Sequence, residues 1–463
     1  MTTFPRIVIA ATHSGAGKTT VAGAAMAALA AAGLKVQPFK VGPDYIDPGY
    51  HTAATGRVSR NLDVWLTGED GVRECFRRAA SGADISVIEG VMGLFDGHGA
   101  GDLASTAHVA RLLRAPVVLV VDARSLARSV AAVVTGYRRF DPGLDLAGVI
   151  LNRTGSPRHR ALLEQAVREE AGLPVLGTLG REEQIALPER HLGLLPAVER
   201  SGLSDFIGRL AAVGRQLDLG GLLRVAESAP APPRAQRPVF PPRPAEETVR
   251  LGVARDAAFH FYYQDSLDLL GALGAALVEV SPLGGGLPPD LDALYLGGGF
   301  PEMFARELAA NGGFMAALRR LRAGGLPVYA ECGGLMYLSR SLTGTDGTVH
   351  PMAGVLPGDT VMGTRRAALG YVAATALTDN LLVPAGTVLA GHEFHYSSYR
   401  SNGDAHPAFS LRGAGGTEGR GDGVVRPGLL ASYVHLHFVG CPDAARRLLA
   451  AARAYRAARG CAS

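Results

Sequence analysis

A glycine-rich segment near the start of the chain, residues 12–20 (THSGAGKTT), constrains the fold more than any other feature. The apolar run 7–11 before it is typical of a buried strand, and the alanine-rich run 21–32 after it is typical of a packed helix. A strand, a tight glycine turn and a helix that begins at Lys-Thr form the context of a phosphate-binding loop. Thr12 is the one departure, because it stands where the commoner motif has its first glycine. The segment therefore predicts a doubly wound parallel sheet with a ligand at its strand ends.

Each residue of this loop has an expected role toward ATP. Gly15 and Gly17 permit the tight curvature, so that backbone N–H groups of the turn and of the helix start face phosphate oxygens. Lys18 would reach the β- and γ-phosphates. Thr19 would ligate Mg²⁺, and Thr20 completes the predicted nucleotide-binding set.

The rest of the chain alternates short apolar runs with helical stretches, in two blocks. Continuous apolar runs suit strands buried on both faces of a parallel sheet, with helices between them as in βαβ units. Strands are predicted at 7–11, 36–41, 85–89, 117–121 and 148–151, then at 250–254, 276–280, 293–296 and 327–330, with mixed later strands near 387–390 and 430–435. Residues 229–245 contain seven prolines, which predicts an extended linker. We therefore expect an α/β P-loop domain at 1–200, a helix and proline-rich linker at 201–247, and a second α/β domain at 248–455.

Composition excludes several classes of protein. A chain of 463 residues is too long for one ordinary hydrophobic core, which predicts more than one domain. A content of 47% hydrophobic and 19% charged residues is typical of a globular protein. A formal net charge of +4 is too weak to predict a nucleic-acid partner. Four cysteines without a CxxC pair argue against a zinc site or a disulfide scaffold. With no signal-like start and no apolar run of about 18 residues, we expect a cytoplasmic protein without a membrane span.

Acidic residues follow further predicted strands of the first block. Asp44 and Asp47 come after one strand, Glu89 ends the next and is followed by Asp96, and Asp122 ends a third. The carboxyl ends of parallel strands line the ligand crevice, and Mg²⁺ prefers oxygen ligands that it shares with phosphate and water. Asp44 and Glu89 are therefore the predicted metal ligands beside the loop threonine. For each of them the alternative is a solvated loop acid.

A cysteine in the second block stands in a different kind of turn. Residues 327–331 read as a strand, Cys332 and two glycines form a sharp turn, and 335–339 begins a helix. This strand–turn–helix elbow exposes a nucleophile at the top of a sheet. The helix start is expected to lower the pKa of the thiol. Backbone N–H groups of Gly333 and of Gly298 in the 297–300 loop could stabilise an oxyanion.

Longer motifs make the chain resemble one enzyme family. They are 12–20, 40–51 (KVGPDYIDPGYH), 61–63 (NLD), 89–97 (EGVMGLFDG), 187–193 (LPERHLG), 295–302 (YLGGGFPE), the Cys332 turn, 391–396 (GHEFHY) and 432–438 (SYVHLHF). Together they resemble the cobyrinic acid a,c-diamide synthase (hydrogenobyrinic acid a,c-diamide synthase) family. The resemblance covers nearly the whole chain apart from the linker and the extreme termini.

The resemblance implies both a reaction and partners. The family joins a dethiobiotin synthetase-like P-loop domain to a class I glutamine amidotransferase domain, and amidates the a and c acetates of a corrin ring with ATP, Mg²⁺ and glutamine. Asp47 and Asp96 would then frame the site between nucleotide and corrinoid, and Asn152 would contact adenine. For Asn152 a strand-end turn residue is an equal alternative. The expected partners are these small molecules, with a homodimer as an option.

Cys332 needs a base, and the same resemblance points to a histidine on a late strand. His435 matches the family's Tyr-x-His position, whereas His437 stands where the commoner triad has an acidic residue. His392 and His395 are alternatives of lower rank. Which group orients the imidazole of the base is therefore left open.

The expected mechanism joins the two sites. ATP would convert a corrin acetate to an acyl phosphate, and ammonia released from glutamine at Cys332 would displace the phosphate. Three other interpretations stay open: cobyric acid synthase, nickel-sirohydrochlorin a,c-diamide synthase, and a partition-type ATPase switch with a vestigial amidotransferase domain.

Overall fold

A computed structural model describes residues 4–180, 189–190, 193–194, 197, 200, 202–402, 406–413 and 419–460. The chain divides into two compact units. The first comprises Met1–Val64 and Gly68–Pro238, and the second comprises Trp65–Thr67 and Val239–Ser463. The predicted domain limits at 200 and 248 stay a prediction. Most of the 187–193 motif lies outside the described residues.

The first unit is built on one parallel sheet of seven strands. They are β1 (Arg6–Ala11), β2 (Val36–Val41), β3 (Arg60–Leu62), β4 (Ile85–Glu89), β5 (Val117–Asp122), β6 (Leu146–Thr154) and β7 (Val175–Gly180). Their order across the sheet is β3-β2-β4-β1-β5-β6-β7. All six pairings are parallel, so the carboxyl ends of all seven strands lie at one edge. A separate short hairpin consists of β8 (Glu189–Arg190) and β9 (Gly193–Leu194).

Helices connect the strands of this sheet. They are α1 (Lys18–Ala31), α2 (Asp47–Thr55), α3 (Val64–Ala79), α4 (Thr106–Leu113), α5 (Ser129–Phe140), α6 (Pro157–Ala166), α7 (Leu203–Gly214) and α8 (Leu219–Glu227). The backbone of α3 is non-helical at Gly68. Nine consecutive residues of α1 are buried, because α1 contacts the sheet on one side and α7 and α8 on the other. The small alanine side chains of α1 allow this close packing, which places the start of the helix beside the strand ends.

The second unit has three sheets. Its strands are β10 (Val249–Ala254), β11 (Ala275–Val280), β12 (Ala293–Leu296), β13 (Val328–Glu331), β14 (Ser341–Thr343), β15 (Val349–Pro351), β16 (Gly358–Met362), β17 (Ala368–Ala376), β18 (Val388–His395), β19 (Ser397–Ser401), β20 (Phe409–Gly413), β21 (Arg420–Asp422), β22 (Val424–Arg426), β23 (Leu429–Ser432) and β24 (His435–Leu436). The main sheet has the order β11-β10-β12-β13-β23-β22 and is parallel except for the β22–β23 pair. The smaller sheets have the orders β15-β14-β16-β19 and β21-β20-β17-β18-β24.

Within the described residues, five α-helices accompany these sheets: α9 (Gln264–Ala272), α10 (Ala305–Ala310), α11 (Gly312–Ala323), α12 (Gly333–Leu338) and α13 (Pro442–Gly460). The core of this unit joins residues of β12, β13, α11 and α12 in one apolar cluster. Both units are α/β with parallel sheets, which confirms the predicted fold class. Among the residues that the structure describes, no helix has the length and apolarity to cross a membrane.

Candidate active sites

The glycine-rich loop of the first unit forms the turn that its sequence predicts. β1 ends at Ala11, and α1 begins at Lys18 with Gly17 as its N-cap at φ 91°. Nζ of Lys18 donates a hydrogen bond to the carbonyl of Met92 at 3.3 Å. Desolvation, together with the nearby charge of Lys40, lowers the pKa of Lys18. The helix N-terminus and this lysine form a cationic cradle of the kind that binds phosphate.

A buried ion cluster lies at the strand ends beside this loop. Lys40 is 3% exposed, and its Nζ lies 2.5 Å from Asp47 Oδ2 and 2.9 Å from Glu89 Oε1. Nε2 of His51 lies 2.7 Å from the other oxygen of Glu89. Although burial opposes its charge, the two carboxylates raise the pKa of Lys40. Although burial opposes ionisation, Lys40 and His51 lower the pKa of Glu89, so the Lys40–Glu89 pair is held in its charged form. Burial, together with the charge of Asp44, raises the pKa of Asp47 to about 6.

The predicted metal and substrate residues separate into two groups. Thr19 Oγ1 lies 2.6 Å from Glu89 Oε1 and 3.5 Å from Asp47 Oδ2, so these three residues are together. Asp44 Oδ1 instead accepts the N–H groups of residues 46 and 47, at 2.7 Å and 3.0 Å, and caps the start of α2. Asp96 Oδ2 accepts the N–H of residue 93 at 2.9 Å and so holds its own loop. The metal roles of Thr19, Asp44 and Glu89 and the substrate roles of Asp47 and Asp96 stay predictions.

The oxygen donors at this site fit Mg²⁺. Thr19, Glu89 and Asp47 present a hydroxyl and carboxylates, which are the ligands that Mg²⁺ prefers. The described part of the chain contains no group of three or more His, Cys, Asp or Glu side chains arranged to hold a metal ion. In nucleotide sites Mg²⁺ takes one or two protein carboxylates and completes its shell with phosphate and water.

Asn152 and its neighbour brace the phosphate loop. The Asn152 amide donates to the carbonyl of Ala16 at 2.9 Å, and Arg153 Nη1 donates to the carbonyl of Gly15 at 2.7 Å. Arg153 also lies 2.7 Å from Asp122, which explains why a carboxylate ends that strand. The adenine contact of Asn152 stays a prediction. Lys40, His51 and Arg153 were missed from the sequence, although each lies within or next to a motif singled out there.

We expect Gly17→Ala to weaken ATP binding far more than Gly15→Ala. Both glycines have positive φ, 91° and 83°, so an alanine at either is strained by about 1–3 kcal/mol. A β-carbon at Gly17 would lie 2.1 Å from Asn152 Nδ2, whereas one at Gly15 has nothing within 4 Å. Calorimetric titration with ATP measures the difference. Equal losses in the two variants would show that the contact with Asn152 has no part in shaping the loop.

The nucleophile elbow of the second unit is strained at Cys332. β13 ends at residue 331, Cys332 has φ 46° and ψ −102°, and α12 begins at Gly333. Few non-glycine residues adopt such a backbone, and positions of this kind are concentrated at functional sites. The N–H of Cys332 donates to the carbonyl of Ser432 at 2.7 Å, which ties the elbow to β23. Sγ of Cys332 lies 3.9 Å from the carbonyl oxygen of Phe394.

The expectation that the helix start lowers the pKa of Cys332 is wrong. Cys332 is only 5% exposed, and burial, together with the charge of Glu302, raises the pKa of its thiol. The N–H of Gly333 opposes this shift but is outweighed. α12 has six residues and therefore a weak dipole. The resting thiol is thus protonated at neutral pH and needs a base to become a nucleophile.

The predicted base, His435, lies at the same loop as the elbow. A β-carbon at Gly298 would lie 2.5 Å from His435 Cε1, and one at Gly333 would lie 3.1 Å from the nitrogen of Gly299. The glycine loop after β12 therefore borders both the imidazole and the nucleophile turn. His435 is 1% exposed, so a proton that it accepts is shielded from solvent. The oxyanion roles of Gly298 and Gly333 stay predictions that this arrangement suits.

The other histidines have different neighbours. His437 lies beyond the end of β24, and its ring stacks on Tyr263 with a centroid distance of 4.8 Å. Burial lowers the pKa of His437 to about 3, so it stays neutral. The ring of His395 stacks on Tyr433 with a centroid distance of 3.9 Å. These stacked rings are packing elements, and His437 does not replace the acidic group of a triad.

Comparison with known proteins covers both units. The CobQ/CobB/MinD/ParA nucleotide binding domain family matches residues 7–195, and the CobB/CobQ-like glutamine amidotransferase domain family matches residues 250–442. A cobyrinate a,c-diamide synthase of Gloeobacter violaceus is 50% identical over 96% of each chain. One of Dehalococcoides mccartyi is 45% identical over 96% of this chain and 98% of the relative.

A relative with a related name is about as similar. A hydrogenobyrinate a,c-diamide synthase of Streptomyces coelicolor is 46% identical over 96% of this chain and 97% of the relative. The similarity therefore spans the phosphate loop, the ion cluster and the cysteine elbow in a single alignment with each relative. With both units matched in order and over nearly their full length, the chain belongs to the cobyrinate a,c-diamide synthase family.

Proposed function

We propose that this protein uses ATP and glutamine to amidate the a and c acetate side chains of cobyrinic or hydrogenobyrinic acid, a step of cobalamin biosynthesis. The observation that carries the proposal is the full-length similarity to a,c-diamide synthases. It is supported by a phosphate loop and a strained cysteine elbow in one chain. ATP is the cosubstrate and Mg²⁺ its companion ion. A cytoplasmic homodimer belongs to the same proposal, and light scattering measures its mass.

The first unit would activate the carboxylate. Lys18 and the N–H groups at the start of α1 bind the phosphate oxygens, and an acetate oxygen of the corrinoid attacks the γ-phosphorus. The bond between the γ-phosphorus and the bridging oxygen breaks, which gives an acyl phosphate and ADP. Thr19 and Glu89 would hold Mg²⁺, which supplies charge neutralisation at the phosphates. Asp47 and Asp96 would border the corrinoid.

The second unit would release ammonia. His435 accepts the thiol proton of Cys332 as the sulfur attacks the side-chain amide carbon of glutamine, and the N–H groups of Gly298 and Gly333 would face the oxyanion. The C–N bond then breaks, and His435 returns the proton to the leaving ammonia. Water hydrolyses the thioester to glutamate. The ammonia attacks the acyl phosphate carbonyl and displaces inorganic phosphate, and two acetates require two such cycles.

We expect two successive acid-to-amide conversions when the protein is incubated with cobyrinic acid, ATP, Mg²⁺ and glutamine. Glutamine labelled with ¹⁵N in its side chain counts the transferred nitrogens by product mass. Parallel incubation with hydrogenobyrinic acid shows whether the ring must carry cobalt. Omitting ATP is the control, because glutamate release without amide formation is then expected.

Each rival interpretation predicts another product. Cobyric acid synthase would amidate the a,c-diamide further, whereas this protein is expected to leave the a,c-diamide unchanged. A nickel-sirohydrochlorin enzyme would act only on the nickel tetrapyrrole. ATP hydrolysis without any amidated tetrapyrrole and without glutamate release would overturn the proposal in favour of an ATPase switch.

A further inference from the structure

We infer that Glu331, the residue directly before the nucleophile, is the positioning residue that orients the imidazole of His435. The inference rests on the proposed function, because it concerns the release of ammonia from glutamine. The Oε2 atom of Glu331 lies 3.4 Å from His435 Nδ1, within the range of an ion pair. Contacts of this kind in catalytic sites often tighten when substrate binds. Glu331 thus supplies the carboxylate that the sequence pattern after His435 lacks.

The carboxylate of Glu331 is held so that one oxygen remains for the imidazole. Its Oε1 atom accepts the hydroxyl of Tyr329 at 2.6 Å and the N–H of Leu436 at 3.2 Å. Burial, together with the charge of Glu331, raises the pKa of Tyr329 and of Tyr295 well above its ordinary value, so both hydroxyls stay protonated, and that of Tyr329 acts as a donor. Leu436 is the residue after His435, so its hydrogen bond to Glu331 fixes the position of the carboxylate relative to the imidazole ring.

This arrangement selects one tautomer of the base. An ionised carboxylate can only accept, so it favours a proton on His435 Nδ1. Nε2 then carries the lone pair that removes the thiol proton, and the carboxylate stabilises the imidazolium that results. His392 is the histidine paired with His435 across β18 and β24, and burial lowers its pKa to about 3. His392 is therefore neutral, whereas the side chain of Glu331 places a carboxylate oxygen 3.4 Å from His435 Nδ1.

Two other buried carboxylates of this unit, Asp422 and Glu393, have different partners. Asp422 Oδ2 accepts the hydroxyl of Ser432 at 2.5 Å and the N–H of Tyr433 at 3.1 Å. Glu393 pairs with Arg420 and with His395, whose Nε2 lies 3.5 Å from it. Glu331 is 1% exposed and is the carboxylate that the structure places beside His435 Nδ1. Adjacency to the nucleophile in sequence explains how one strand end can carry both groups.

The test replaces Glu331 with glutamine. Glu331→Gln retains an oxygen for Tyr329 but directs an amide N–H at Nδ1, which favours the wrong tautomer. The glutamine-dependent kcat is expected to fall by about 10³–10⁴-fold with little change in KM. Amidation of the corrinoid with added ammonia is expected to be unchanged. Glu331→Asp keeps the charge and should recover part of the loss.

A matched control separates this role from the mere burial of a charge. Asp292 is also 1% exposed, lies at the opposite end of the same sheet, and pairs with Arg459 at 3.0 Å. Asp292→Asn should lower the melting temperature but leave the glutamine-dependent kcat within a few-fold of wild type. Tyr329→Phe, which removes one donor to Glu331, is a second variant and should lower that kcat by about tenfold.

The tautomer of His435 can also be measured directly by NMR, without an activity assay. In protein labelled with ¹⁵N-histidine, the resonance lost in His435→Gln identifies the base, and its shifts should report a proton on Nδ1 in wild type and on Nε2 in Glu331→Gln. Unchanged shifts, or a folded Glu331→Gln protein with wild-type glutamate release, would overturn the inference. If Glu331→Gln does not fold, full activity of Tyr329→Phe would overturn it instead. Glutamate release without any corrinoid amidation in wild type would defeat the proposed function alone.

Discussion

Replacing Cys332 with serine is expected to lower glutamine-dependent amidation by at least about 10⁴-fold while amidation with added ammonia continues. The thiol is buried, and its pKa is raised, so the reaction depends on transfer of its proton to His435. A serine hydroxyl is far less acidic and less nucleophilic than a thiol in the same place. In the proposed mechanism the ATP-dependent chemistry belongs to the first unit and does not use this side chain.

Glutamate release and ammonia-supported product formation should be measured on the same preparation. Cys441 is the matched control, because burial also raises its pKa, to about 12, and its Sγ donates a hydrogen bond to the carbonyl of His437 at 3.5 Å within the same unit. Cys441→Ser should retain both activities. Retained glutamate release in Cys332→Ser would remove Cys332 from the mechanism. Loss of the ammonia-supported reaction as well would show that the two chemistries are not separable by residue.

The parallel sheets could be predicted from the sequence because their strands are buried on both faces. The runs 36–41, 85–89 and 293–296 agree with the observed strands residue for residue, and other predicted runs differ by one to five residues at their ends. A short continuous apolar run is typical of a strand that is buried on both faces, so its sequence alone predicts the strand. The strand end is then set by the turn that follows, which glycine or aspartate marks.

The antiparallel part of the second unit could not be predicted in the same way. β17 has nine residues, of which the last five alternate between buried and partly exposed, and it contains glycine and four alanines. Such a strand is defined by its partners, β18 and β20, rather than by its own hydrophobicity. The late run 430–435 reads as one strand, but the structure breaks it into β23 and β24, which belong to different sheets.

The site residues also divide into those set by local sequence and those set by distant partners. Lys18, Thr19 and Cys332 lie in contiguous motifs whose local turns the structure forms as the sequence predicts, and their roles in binding and catalysis stay predictions. Lys40 is recognised only when β2 pairs with β4, where it stands directly across from Glu89. Glu331 likewise gains its role only when β24 brings His435 to the end of β13. A sequence motif cannot predict a role that depends on how distant segments of the chain pair in the fold.

The last prediction concerns two lysines that lie close together in the first unit. Lys18→Met should remain folded and lose ATP-dependent amidation by at least about 10²–10³-fold. In the structure Lys18 is half-buried, and its one hydrogen bond goes to an exposed backbone carbonyl. Because desolvation lowers the pKa of Lys18, its charged form is less favourable in the folded state than in the unfolded chain at neutral pH. Removing that charge therefore costs no folding stability, whereas phosphate oxygens lose their cation.

Lys40→Met should differ by losing stability as well as activity. Its removal leaves Asp47 and Glu89 buried, with His51 as the one histidine beside Glu89. Breaking one partner out of a buried ion pair typically costs about 3–5 kcal/mol. For a unit of this size the melting temperature should fall by roughly 10 °C, whereas Lys18→Met should shift it by less than about 2 °C. Scanning calorimetry and the amidation assay measure the two effects on the same samples. Equal melting temperatures would contradict the ion cluster, and wild-type turnover of Lys18→Met would contradict the nucleotide site.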